Sequence, residues 1–100
     1  MNIFGVEHGH TTVPLPHGGV QHTFHLPNGV TVSAVRAAYI DSSGAPAVRE
    51  LWEVYAWREG TDDNDVFLSG ADMEGVVNSL TTDQVGERLR EAAALPKAGA

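Results

Sequence analysis

The stretch Val20-Gln21-His22-Thr23-Phe24-His25-Leu26-Pro27-Asn28-Gly29-Val30-Thr31-Val32 decides how the rest of the chain is read. Val20, His22, Phe24 and Leu26 alternate with Gln21, Thr23 and His25, the period of two that sends successive strand side chains to opposite faces. Pro27-Asn28-Gly29 then breaks the strand. Proline presets one φ, and Asn-Gly tolerates the positive φ of a tight hairpin. The alternation resumes from Gly29 to Ile40 through Val30, Val32, Val35 and Tyr39. Its parity slips between Ala34 and Ala38, which predicts a bulge or a strand covered on both faces.

Working outward, Asp41-Ser42-Ser43-Gly44-Ala45-Pro46 forms a second turn, and residues 48–58 read as a third strand. One of its faces carries Val48, Glu50, Trp52, Val54 and Ala56; the other carries Arg49, Leu51, Glu53, Tyr55 and Trp57. Residues 60–64 form a third turn, and residues 65–68 a short fourth strand. The period then changes. Ser69 with Asp72 resembles a capping box, and Met73, Val76, Val77 and Leu80 recur at helical spacing, predicting a helix over 70–80. Thr82 is placed to cap a second helix over 82–94, striped by Val85, Leu89, Ala92 and Ala93 and ended by Pro96. In the other direction, residues 1–19 are rich in Gly, Pro, His and Thr and read as an extended arm or short edge strand, docked by Ile3, Phe4 and Val6. The expectation is therefore α+β: an antiparallel β-meander of three or four strands (20–26, 29–40, 48–58, 65–68) followed by two α-helices. It divides the chain into an arm (1–19), one domain (20–96) and a disordered tail (97–100).

Composition narrows the function. The 100 residues include no cysteine, which excludes structural disulfides, thiolate-bound zinc and thiol chemistry. No apolar run approaches a membrane span, and residues 1–6 run into Glu7 and His8 without the pattern of a leader. A cytoplasmic protein is the expectation. The whole net charge of −7 falls in residues 50–74, where Glu50, Glu53, Glu59, Asp62, Asp63, Asp65, Asp72 and Glu74 face only Arg58. Such a balance argues against direct nucleic-acid binding, which needs clustered Lys and Arg. It is compatible with a basic partner surface, and equally with simple solubility.

Three groups of residues are candidates for chemistry. All five histidines fall in the first 25 residues: His8, His10, His17, His22 and His25. His8 and His10 share one side of an extended segment, and His22 or His25 could complete a site for zinc, nickel or copper. The plainer account leaves the arm histidines exposed and packs His22 beside Phe24. The acidic run Asp62-Asp63-Asn64-Asp65 collects oxygen ligands of the calcium type. It lacks the glycine of an EF-hand loop in either register, so a solvated hairpin tip accounts for it. No nucleophile elbow, phosphate loop or dinucleotide fingerprint occurs, and no enzymatic activity is expected. Finally, Trp52, Tyr55 and Trp57 alternate with Glu50, Glu53 and Glu59. Trp52 and Trp57 have opposite parity, so a regular strand cannot bury both under one helical layer.

The leading expectation is a small protein-interaction module, an accessory or inhibitory protein of the phage-encoded kind. Its partner-binding face would combine Glu50, Trp52, Glu53, Tyr55, Trp57, Asp62, Asp63 and Asp65 and meet a basic protein surface. The alternatives are a histidine metal-binding protein using His8, His10, His22 and His25, and a homo-oligomeric structural subunit.

Overall fold

The structure, a computed structural model, describes residues 10–58 and 65–96. It is mostly antiparallel β-sheet with one helix after it. In chain order the elements are β1 (Thr11–Pro14), a 3-10 turn (Pro16–Gly18), β2 (Val20–His25), β3 (Val30–Arg36), β4 (Ala38–Ile40), β5 (Pro46–Val48), β6 (Trp52–Arg58), β7 (Asp65–Val66), β8 (Val76–Leu80) and α1 (Thr82–Ala93). The main sheet runs β1-β2-β3-β6, and its last position beside β6 is filled in two pieces, β7 and then β8. Strands β4 and β5 pair only with each other, as a separate hairpin. No helix among the described residues is long and apolar enough to cross a membrane.

The β2–β3 hairpin forms where the alternation predicts it. Gly29 donates its N–H to the Leu26 carbonyl and adopts φ 84°, so the turn is closed by a glycine in the left-handed region. Asn28 does more than turn the chain. Its amide donates to the carbonyls of Ala92 (2.8 Å) and Leu95 (3.0 Å), and its Oδ1 accepts from Val30 N–H (3.1 Å). The last carbonyls of a helix lack intrahelical partners, so this one side chain fastens the hairpin to the end of α1.

The helix over 70–80 does not form. That segment is a turn-rich excursion followed by β8. Asp72 Oδ1 accepts from the backbone N–H groups of Glu74 and Val76, a local closure that competes with helical bonding. Gly70 and Gly75 hold φ values of 84° and 86°, outside the helical region. Met73, expected on the buried face, is 96% exposed. Val76 and Val77 prefer the strand, and Ser79 at φ 61° accompanies a register shift opposite the Trp52–Val54 step. The second helix is present, but Thr81 rather than Thr82 caps it. Thr81 Oγ1 accepts from Gln84 N–H while Gln84 Oε1 accepts from Thr81 N–H, a complete capping box.

Two strand boundaries also differ. The expected strand over 29–40 breaks at Ala37, where the parity slips, and its end becomes β4. The expected strand over 48–58 loses its start to β5. The turn between them is held by Asp41, whose Oδ1 accepts from Ser43 N–H, Ser43 Oγ–H and Ala45 N–H. Residues 11–14, expected in the arm, pair with β2 as an edge strand. Ile3, Phe4 and Val6, like the tail 97–100, lie outside the described residues.

The core lies between α1 and one face of the sheet. Phe24, Val30, Val32, Ala34, Trp52, Val54, Ala56, Val77 and Leu80 meet Val85, Leu89 and Ala92 there, with Leu26 and Leu68 at the margins. The excursion before β8 is tied to the helix as well. Arg88 Nε donates to the Ser69 carbonyl (2.7 Å), and the Glu91 carboxylate accepts from Ser69 N–H.

Candidate functional site

Strand parity gives the sheet two unlike faces. The even-numbered residues of β2, β3 and β6 face the α1 side, where the core is. The odd-numbered residues of the same strands point to the opposite face. Its cross-strand rows follow from the register. Thr11, Thr23, Ser33, Tyr55 and Val76 make one row; His25, Thr31 and Trp57 make the next; Val13, Gln21, Val35 and Glu53 make the third. The face is thus rich in hydroxyls, with two large rings at its centre. Tyr55 and Trp57 stack with centroids 5.5 Å apart, and with Gln21 and Ser33 they line a shallow depression. Gln21 Nε2 donates to Ser33 Oγ at 2.9 Å. Thr31 and Ser33 are buried. The Tyr55 and Phe67 rings border Gly75, where an added Cβ would lie 3.5 Å from Tyr55 Cε1 and 3.8 Å from Phe67 Cζ. Phe67 is 58% exposed.

The partner-binding residues read from the sequence separate on this framework. Glu53, Tyr55 and Trp57 share the odd-numbered face, with Glu53 exposed at its end. Trp52 does not join them. It is 1% exposed, and its indole N–H donates to Thr82 Oγ1 at 3.3 Å, so it offers no area to a partner. Its even parity in β6 points it at the helix. Glu50 is exposed at a cleft between the β4–β5 hairpin and the sheet, which Glu53 lines as well, with Tyr39, Arg49 and Asn78. Asp65 pairs with Trp57 through the backbone. Asp62 and Asp63 lie outside the described residues.

The histidines separate too. His22 and His25 lie in one strand with opposite parity, so His25 falls on the odd-numbered face, 3.3 Å from Thr31 Oγ1. His22 falls on the α1 side near the sheet's β1 edge, and there His10 meets it, Nε2 to Nδ1 at 2.7 Å. Thr12 Oγ1 stands 3.3 Å from the first of these nitrogens and 3.1 Å from the second. The rings rest on aromatic walls: His10 stacks on Phe24 at 4.5 Å, and His22 tilts against Trp52 at 5.5 Å. Arg36 lies over the Trp52 ring at 4.7 Å. Burial, then the nearby charges of His10 and Arg36, hold His22 below the ordinary imidazole range. No group of three His, Asp or Glu side chains converges among the described residues, and His8 lies outside them.

Sequence reasoning missed Gln21, Thr31 and Ser33 as a surface, and Thr12 and Arg36 as neighbours of the histidine pair. Parity could have found the first group, since Thr23, Thr31 and Ser33 occupy odd positions throughout. Nothing local signals the second, because it depends on β1 pairing with β2. The chain matches no protein-family model, no curated protein and no solved structure.

Proposed function

We propose that this protein is a small interaction module that binds a partner protein through the odd-numbered face of its sheet, with Trp57 and Tyr55 as anchors. The observation that supports this is the stacked Trp57–Tyr55 pair, which with Gln21 and Ser33 lines a shallow depression on the sheet. Aromatic side chains dominate binding energy at protein interfaces, and the flanking Gln21 and Ser33 supply hydrogen bonds without adding charge. Glu53 at the end of the face, and the net charge of −7 that residues 50–74 carry along the chain, favour a partner of basic surface and speed its approach. In its sharper form, the module is an accessory or inhibitory protein that covers a basic, nucleic-acid-binding surface.

The test captures partners on the immobilised, untagged chain at about 0.05 M and 0.5 M salt, a range that strongly changes screening. Wild type, Trp57→Ala and a double variant Asp62→Lys, Asp63→Lys are compared. The proposal expects a partner retained by the wild type at low salt, weakened at high salt, and lost from both variants. A partner retained equally by both variants refutes the assigned face. Light scattering that gives a stable multiple of 10.6 kDa at both salts, abolished by Trp57→Ala, assigns the face to a homo-oligomer instead.

A further inference from the structure

We propose that His10, Thr12 and His22 form a binding site for a late first-row divalent metal ion, copper(II) most tightly and nickel(II) or zinc(II) less so, which clips the edge strand β1 to β2. The two imidazole nitrogens and the hydroxyl oxygen form a triangle with edges of 2.7, 3.1 and 3.3 Å. Neighbouring ligand atoms on a tetrahedral or octahedral ion with bonds of about 2.0–2.1 Å lie about 2.9–3.4 Å apart. An ion roughly 1 Å above this triangle therefore reaches all three atoms at bonding distance after a small opening of the shortest edge. The donors choose the ion. Imidazole suits copper, nickel and zinc. Two imidazole nitrogens are poor ligands for the hard ions calcium and magnesium, which take oxygen donors. The His10 ring stacks on Phe24 and the His22 ring lies against Trp52. His10 and His22 are partly exposed and Thr12 is exposed, which leaves an entry path and room for water on the remaining coordination positions.

Without an ion, one facing nitrogen donates its proton to the other. On binding, the donating ring takes its other tautomer, its proton moving through solvent to the far ring nitrogen. Each ring then turns its lone pair away from the other nitrogen toward the ion, and a neutral pair releases no net proton. His10 precedes β1 and His22 sits within β2, so the ion ties the two strands and stabilises the folded chain by linkage.

The experiment adds copper(II) in substoichiometric steps to the untagged chain and follows the histidine ring signals by NMR, with thermal melting in parallel. The site predicts that paramagnetic broadening reaches His10 and His22 before His17 and His25, and that melting rises with added copper. His10→Ala and His22→Ala each weaken copper binding at least about tenfold, and His17→Ala leaves it unchanged. Where a histidine variant fails to fold, the broadening pattern on the wild type and the weaker binding of Thr12→Val decide. Equal broadening at all five histidines, broadening centred on His17 or His25, or unchanged affinity in the double variant His10→Ala, His22→Ala overturns the site and leaves the pair as a hydrogen bond only.

Discussion

Replacing Asn28 by alanine removes three hydrogen bonds at once: the donations to the carbonyls of Ala92 and Leu95 and the acceptance from Val30 N–H. Asn28 is 8% exposed and Val30 is fully buried, so water cannot easily replace the amide. A typical hydrogen bond contributes about 1 kcal/mol net, and a buried group left unsatisfied costs about 1–3 kcal/mol. The Leu95 carbonyl near the helix end can rehydrate, so the expected loss for Asn28→Ala is about 2–4 kcal/mol. Domains of this size have total stabilities of about 5–15 kcal/mol, and each kcal/mol moves Tm by about 4–8 °C. The melting point should therefore fall by roughly 10–25 °C, with a matching fall in the urea midpoint at unchanged slope. Asn28→Asp separates hydrogen bonding from shape. It keeps the acceptor for Val30 N–H but loses the donor, and it sets a carboxylate against the negative end of α1. It should be at least as damaging at pH 7 and partly rescued below pH 4, where a protonated acid can donate. A loss under about 0.5 kcal/mol for Asn28→Ala, or an Asn28→Asp protein as stable as wild type at neutral pH, refutes the idea that this side chain fastens the hairpin to the helix.

The two tryptophans should behave as opposites. Trp52→Ala is expected to cost about 3–5 kcal/mol, the usual penalty for a buried aromatic, and Trp57→Ala about 1 kcal/mol; urea unfolding measures both. Acrylamide should quench Trp57 in the Trp52→Phe chain far more than Trp52 in the Trp57→Phe chain. At the β4–β5 turn, the hydrogen bonds from the Ser43 hydroxyl and then the Ala45 and Ser43 amides hold Asp41 below the ordinary carboxyl range. A carboxyl depressed in the folded state stabilises the turn above its unfolded value and loses that contribution as pH falls through the folded one. The Ser43 and Ala45 amide signals should accordingly shift at a pH below the ordinary aspartate range, and Asp41→Ala should remove the transition.

The hairpin around Pro27-Asn28-Gly29, the antiparallel β2–β3–β6 order and the last helix were legible because each rests on local information: a period of two, a turn tripeptide, and a stripe ended by proline. The opposite orientation of Trp52 and Trp57 was legible for the same reason, since parity along one strand is set by backbone geometry. The segment 70–80 was not. Its apolar spacing fits a helix, but Val77 and Leu80 can be buried equally well from a bulged strand beside β6, and Asp72 with Gly70 and Gly75 closes turns that a helix excludes. The β4–β5 hairpin showed in advance as its turn, Asp41 to Pro46, and as a slip in parity, but not as a pair separate from the main sheet.

From the sequence alone follow a cysteine-free chain with its net negative charge confined to residues 50–74, a sheet-forming centre and an amphipathic last helix, because composition and short-range periodicity are carried residue by residue. Only the tertiary structure decided which tryptophan is buried, that Asn28 holds the end of α1, and that His10 finds His22 and Thr12 rather than His25. Those outcomes depend on strand register and on which face the helix covers, and such long-range pairings are settled by the burial of the whole core rather than by any one segment.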